Sequence, residues 1–213
     1  SRWNGDLTEK KSGLNFLKYM ECFNEEKWWL KGTEGYIEPE TMAAMMSACY
    51  DAHENTLGEN VGIKTADSSI IVVMPGLTDF DMNYILAMEI WFKANRKDKK
   101  WACDIANLHH YSNTGNKKGQ HPAQWLASGG CLPSEDKNFD SVKTFVDYFS
   151  GKGLKLWITE FGYDTKAPSN MHIKGKDGLT DEQAQSLALI ETVKKYKEYG
   201  VDAVFIFNIH DDL

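Results

Sequence analysis

The sequence predicts an α/β fold built on a parallel sheet. Three observations point there: apolar, strand-like runs alternate with helical patterns along the 213 residues, no internal repeat or low-complexity tract interrupts them, and two runs far apart end in glutamate. Alternation of this kind implies parallel strands joined by right-handed crossovers. A carboxylate at the C-terminal tip of such a strand points into the mouth of an α/β barrel, where enzymes of that architecture keep their chemistry.

The first run, Leu14 to Phe23, is closed by Asn24-Glu25. Glu38-Pro39-Glu40 then opens a helix to about Glu54, because Pro suits a first helical turn and Met42, Met45, Met46 and Cys49 recur at helical spacing. Ser69 to Met74 reads as a buried strand stopped by Pro75-Gly76. A helix over Phe80 to Arg96 sets Tyr84, Ile85, Met88, Trp91 and Phe92 on one face. Asp104 to Tyr111 is the third strand. A long polar segment, Ser112 to about Lys137, holds Trp125 and Cys131; a loop of such length is usually functional or mobile.

Phe139 to Phe149 is the next helix, broken by Gly151-Lys152-Gly153 before the strand Leu154 to Thr159, which ends in Glu160. Thr180 and Gln183 form a capping-box signature for a helix that stops near Gly200. Ala203 to Ile209 is the last strand. Five strands do not close an eight-stranded barrel.

Composition narrows the partners. The chain is 42% hydrophobic and 26% charged, ordinary for a globular domain. A formal charge of −7 argues against a nucleic-acid backbone, which calls for a basic patch. No apolar stretch approaches the roughly 20 residues that span a bilayer, and the polar Ser1 to Asp6 contains no signal peptide, so any targeting segment is expected outside this chain. Cys22, Cys49, Cys103 and Cys131 are too widely spaced for a zinc ribbon or redox motif. Cys22 and Cys103 lie in or beside strand runs, where a thiol behaves as a small buried hydrophobe; a disulfide between any two of the four stays open.

Phe23-Asn24-Glu25 and Trp157-Ile158-Thr159-Glu160-Phe161-Gly162 resemble the two catalytic signatures of the clan A glycoside hydrolases, and His109-His110-Tyr111 resembles the His-x-Tyr strand end of the same clan. The second glutamate follows the first by 135 residues, with the intervening elements in the clan's order. The glutamate four residues before Glu25, Glu21, is closest to the xylosidase and iduronidase branch. The chain departs from the pattern twice: Glu26 stands where Pro usually follows Asn-Glu, and no Trp occurs in Phe207-Asn208-Ile209-His210-Asp211.

The resemblance implies a (β/α)8 TIM-barrel type of α/β fold, of which residues 1–213 form one catalytic domain covering about strands 4 to 8. It implies that the N-terminal half of the barrel, or a second chain, completes the molecule. It also implies an extracellular or periplasmic enzyme that takes a carbohydrate substrate and needs no cofactor or metal, while charge and hydropathy, as above, argue against nucleic-acid and membrane partners. Glu25 becomes the acid/base and Glu160 the nucleophile of a retaining glycosidase. Asn24, His109, Tyr111, Trp28, Trp125, Tyr163, Asn208 and His210 become substrate-binding candidates. Period-two alternation puts Tyr19, Glu21, Phe23 and Glu25 on one face, and Leu156, Ile158 and Glu160 on one face of the other strand. Glu26 then turns away, and Glu21 is expected one layer below the site, bonded to a neighbouring strand. The competing readings are an inactive carbohydrate-binding barrel and a metal-dependent hydrolase using His109, His110, Glu160, His210 and Asp211, although no tight ligand spacing is present.

Overall fold

The structure, a computed structural model, describes Thr8 and residues 17–25, 35–59, 61–78, 80–115, 129–167, 169 and 171–207. Five parallel strands form one sheet in chain order: β1 (Tyr19–Glu21), β2 (Ile71–Val73), β3 (Ile105–His109), β4 (Lys155–Phe161) and β5 (Ala203–Ile206). The helices between them are α1 (Pro39–Asn55), the short α2 (Ile63–Ala66), α3 (Met82–Asn95), α4 (Ser141–Ser150) and α5 (Asp181–Tyr199). This strictly sequential parallel order is that of part of a (β/α)8 barrel. Among the described residues no helix is long and apolar enough to cross a membrane.

Helix ends follow the sequence signals where those are strong. The Asp81 carboxylate accepts the N–H groups of Asn83 and Tyr84, starting α3. At α5 the Thr180 and Gln183 side chains cap each other's backbone N–H reciprocally, and Gly200 ends the helix at φ 89°. Helix α1 departs from expectation. Its regular part stops at Tyr50, and Ala52 to Asn55 turn left-handed. The Arg96 guanidinium holds that corner with paired bonds to Asp51 at 2.7 and 3.0 Å, and the Glu54 carboxylate accepts the N–H groups of Lys97 and Asp98. Tertiary bonds here override local helical propensity.

The main core lies between the sheet and its helices, where Met74, Leu156 and Ile158 pack against Ile85, Phe145 and Tyr196. The opposite face carries a row of aromatic rings, Tyr19 on Trp157 at 5.0 Å and Trp157 on Phe205 at 5.4 Å. Tyr19 and Phe205 remain 46% and 45% exposed, on the two edge strands. Cys22 is not a free buried thiol: it is disulfide-bonded to Cys49, tying the end of β1 to α1. Cys103 and Cys131 are buried and free.

Candidate active site

The site forms where β1, β3 and β4 end. Beyond Glu21 the chain runs to Asn24, whose backbone bridges to Gly76, and then to Glu25, which adopts a left-handed φ of 45°. Its carboxylate Oε1 lies 2.9 Å from His109 Nδ1. From β4, Glu160 Oε2 lies 3.4 Å from the same nitrogen and accepts the Tyr111 hydroxyl at 2.9 Å. One oxygen of each glutamate and the His109 nitrogen therefore all fall within 4.8 Å of one another. Both carboxylates keep some solvent contact, with side chains 23% and 19% exposed, whereas His109 is buried.

The phase of β4 differs from simple alternation. Leu156 and Ile158 face the helices, while Trp157 and Thr159 face the other side of the sheet, Thr159 at the site. Leu108 pairs with Ile158 but His109 pairs with Glu160, so Thr159 is an extra residue at that step. Such a bulge turns two successive side chains toward one face. Glu160 reaches the site through this irregularity and not because it shares the face of Leu156 and Ile158.

Beneath the glutamates lies a second tier. Glu21 Oε1 accepts the Gly76 N–H at 2.9 Å, and its Oε2 accepts the Thr159 hydroxyl at 3.4 Å. Thr159 Oγ1 accepts from Asn107 Nδ2 at 2.6 Å and lies 3.1 Å from His109 Nε2. Burial raises the Glu21 carboxyl above its usual range, and the charge of Glu160 adds to the rise; the Gly76 N–H and His109 oppose it. Burial also drives the Tyr111 phenol far up, reinforced by Glu160, so Tyr111 stays a hydroxyl donor. Gly76 is required by space: a Cβ there would sit 2.0 Å from His109 Nε2. Thr159, Asn107 and Gly76 are site residues the sequence reading passed over. Pro75-Gly76 reads as a mere strand stop, and only the unusual run of small and polar residues at strand ends hints at close packing.

The remaining candidates separate. Asn24 is exposed beside the pair. Tyr163 does not line the site: it is buried, its hydroxyl is 2.6 Å from Thr192 on α5, and burial pushes its phenol up to about 12. Sugar stacking by Tyr163 is thereby excluded, because the ring fills the small core beneath the loop after β4 with Ile173, Ala184 and Ala188. Trp28, Trp125, Asn208 and His210 lie outside the described residues. The expected metal set also comes apart. His110 points to the helix side, 2.7 Å from the Tyr196 hydroxyl and 3.2 Å from Asp136, and His210 and Asp211 are outside the described residues. Glu25, His109 and Glu160 have the donor types for a cation, but their closest contact is already a hydrogen bond.

No family model matches the chain, and no curated protein does. Solved structures do. The likeness is one of fold. A GH128 curdlan-specific exo-β-1,3-glucanase from Blastomyces gilchristii aligns with a TM-score of 0.51 at 16% identity, over 89% of this chain and 61% of its own. Fungal β-1,4-galactanases align at 0.51 and 10% identity, over 89% and 51%. A family 51 α-L-arabinofuranosidase from Bifidobacterium longum aligns at 0.51 and 18%, over 93% and 39%. The chain thus spans roughly two-fifths to three-fifths of the length of these proteins, which are all glycoside hydrolases.

Proposed function

We propose that this chain carries the catalytic pair of a retaining glycoside hydrolase of clan A type. The observation that carries the reading is the meeting of Glu25 and Glu160 within 4.8 Å at the C-terminal ends of parallel strands. Retaining enzymes hold their two carboxyl groups about 5–5.5 Å apart, whereas inverting ones leave about 6.5–9.5 Å for a water. Glu160, oriented by the Tyr111 hydroxyl, attacks the anomeric carbon while Glu25 gives its proton to the departing glycosidic oxygen. In the second half, Glu25 takes a proton from water, the resulting hydroxide attacks the same carbon, and the Glu160 carboxylate leaves. Asn24 is suited to hydrogen-bond the sugar 2-OH, and Trp28, Trp125, Asn208 and His210 remain subsite candidates by resemblance.

The row of Tyr19, Trp157 and Phe205, exposed at its two ends, suits a seat for further barrel strands, supplied by more of the same polypeptide or by a second chain. The Cys22–Cys49 disulfide supports an oxidising compartment, hence an extracellular or periplasmic enzyme. Aryl glycosides with the full-length protein test the reading. Glu160→Gln should cut kcat by at least about 10³-fold, and a 2-fluoro glycoside should add its glycosyl mass to the Glu160 peptide. Undiminished turnover in Glu160→Gln would reject it; oligosaccharide binding without turnover in the wild type would favour a binding barrel instead.

A further inference from the structure

Glu21 takes no part in the two chemical steps, yet it is bonded into them. A hydroxyl has one proton and two lone pairs. Asn107 always occupies one Thr159 lone pair, because Asn107 Oδ1 accepts the N–H groups of Leu108 and Thr159 and so fixes its amide as the donor end. Thr159 therefore has two choices. It donates to Glu21 and accepts from His109 Nε2, or it accepts from Glu21 and donates to His109 Nε2.

With a neutral His109 ring, each choice fixes a different state of Glu25. In the first, Glu21 is ionised and the His109 proton is on Nε2. Nδ1 then offers a lone pair to Glu25 Oε1 at 2.9 Å, a contact that is favourable only if Glu25 is protonated. In the second, Glu21 is protonated and His109 carries its proton on Nδ1, which suits an ionised Glu25. Conversion moves three protons one step each: Glu25 to Nδ1, Nε2 to Thr159 Oγ1, and Thr159 Oγ1 to Glu21 Oε2. No bond in the chain is lost and the net charge is unchanged.

We infer that Glu21 and Glu25 share one proton through Thr159 and His109, making Glu21 the positioning residue that holds Glu25 in its acid form. The inference rests on the glycosidase reading for its purpose, though not for its geometry. The titratable groups facing Glu21 among the described residues are His109 from β3 and Glu160 from β4; after β2 only the Gly76 N–H meets it. Burial and the Glu160 charge favour protonated Glu21, whereas the Gly76 N–H and the Thr159 hydroxyl favour its ionised form, so the site holds groups pulling toward each state.

Glu21→Gln gives a sharp test. Gly76 N–H needs an acceptor, so the amide oxygen faces Gly76 and the amide nitrogen faces Thr159, which must then donate to His109 Nε2. Nitrogen-15 NMR of His109 should show the ring proton on Nε2 in the wild type at the activity optimum and on Nδ1 in Glu21→Gln. Thr159→Ser, which retains the hydroxyl, should keep the wild-type tautomer, while Thr159→Val should make the tautomer indifferent to residue 21. In kinetics, Glu21→Gln should lower kcat by roughly tenfold or more with little change in KM, and shift the basic limb of the pH profile to lower pH. The same tautomer in wild type and Glu21→Gln, or a doubly protonated ring throughout, would overturn the proposal. The NMR measurement needs no glycoside, so this failure is distinct from persistence of activity in Glu160→Gln.

Discussion

Gly76→Ala isolates how tightly the two tiers of the site are packed. The added Cβ would lie 2.0 Å from His109 Nε2 and 2.2 Å from Cδ2. Ordinary contact is near 3.5 Å, so the ring must retreat by roughly 1.5 Å. It has little room: His109 is buried, with Thr159 at 3.1 Å on one side and Glu25 at 2.9 Å on the other. The Gly76 backbone cannot yield cheaply either, since its N–H is held by Glu21. Overpacking costs about 1–3 kcal/mol, and a displaced His109 bond adds about 1 kcal/mol. A total of about 2–4 kcal/mol lowers Tm by roughly 4–16 °C in a chain of this size. Urea denaturation should show a lower midpoint at unchanged slope. A double-mutant cycle with His109→Ala carries the decisive arm, because removing the ring should make Gly76→Ala nearly neutral. Strictly additive costs would refute the steric account.

Three other perturbations follow from the same bonding. Arg96→Met removes the buried guanidinium that Asp51 and Asp98 share; both carboxylates keep solvent contact, so the cost should be about 2–3 kcal/mol in urea denaturation. At Glu89, burial works to raise the carboxyl, but bonds from Lys152, Lys93 and Tyr148 hold it down at about 2. Because the folded value is depressed, this stabilisation is complete above about pH 4.5 and drains away as pH falls toward 2. Glu89→Gln should therefore cost on the order of 2–3 kcal/mol at neutral pH and flatten that acid limb. Joint replacement of Cys22 and Cys49 by Ala opens a loop with a sequence separation of 27 and should cost about 3–4 kcal/mol; reductant should then destabilise the wild type and leave the variant unchanged.

The legible parts of this molecule were those written in local pattern. Buried strands such as Ile71–Val73 and the capping box at Thr180 state their structure within a few residues. The meeting of Glu25 and Glu160 was legible because each follows a strand-like run inside a recognisable motif. Period two failed at β4, because an extra residue at Thr159 depends on the pairing partner and leaves no trace in the strand's own sequence. The left-handed corner at Ala52 was hidden for the same reason: its cause is Arg96, which lies 44 residues away in sequence. Tyr163 misled because an aromatic residue after a barrel strand has the same appearance whether it greets a ligand or plugs a small core.

The left-handed backbone at Glu25 has a consequence for anyone evolving this protein. A residue with a side chain is held there against a conformational penalty of about 1–2 kcal/mol, from which glycine is exempt. Selection for heat resistance alone would thus drift toward Gly or Asn at position 25 and discard the carboxylate that the proposed reaction requires. Screens for sturdier variants of this chain need a turnover criterion built in from the first round.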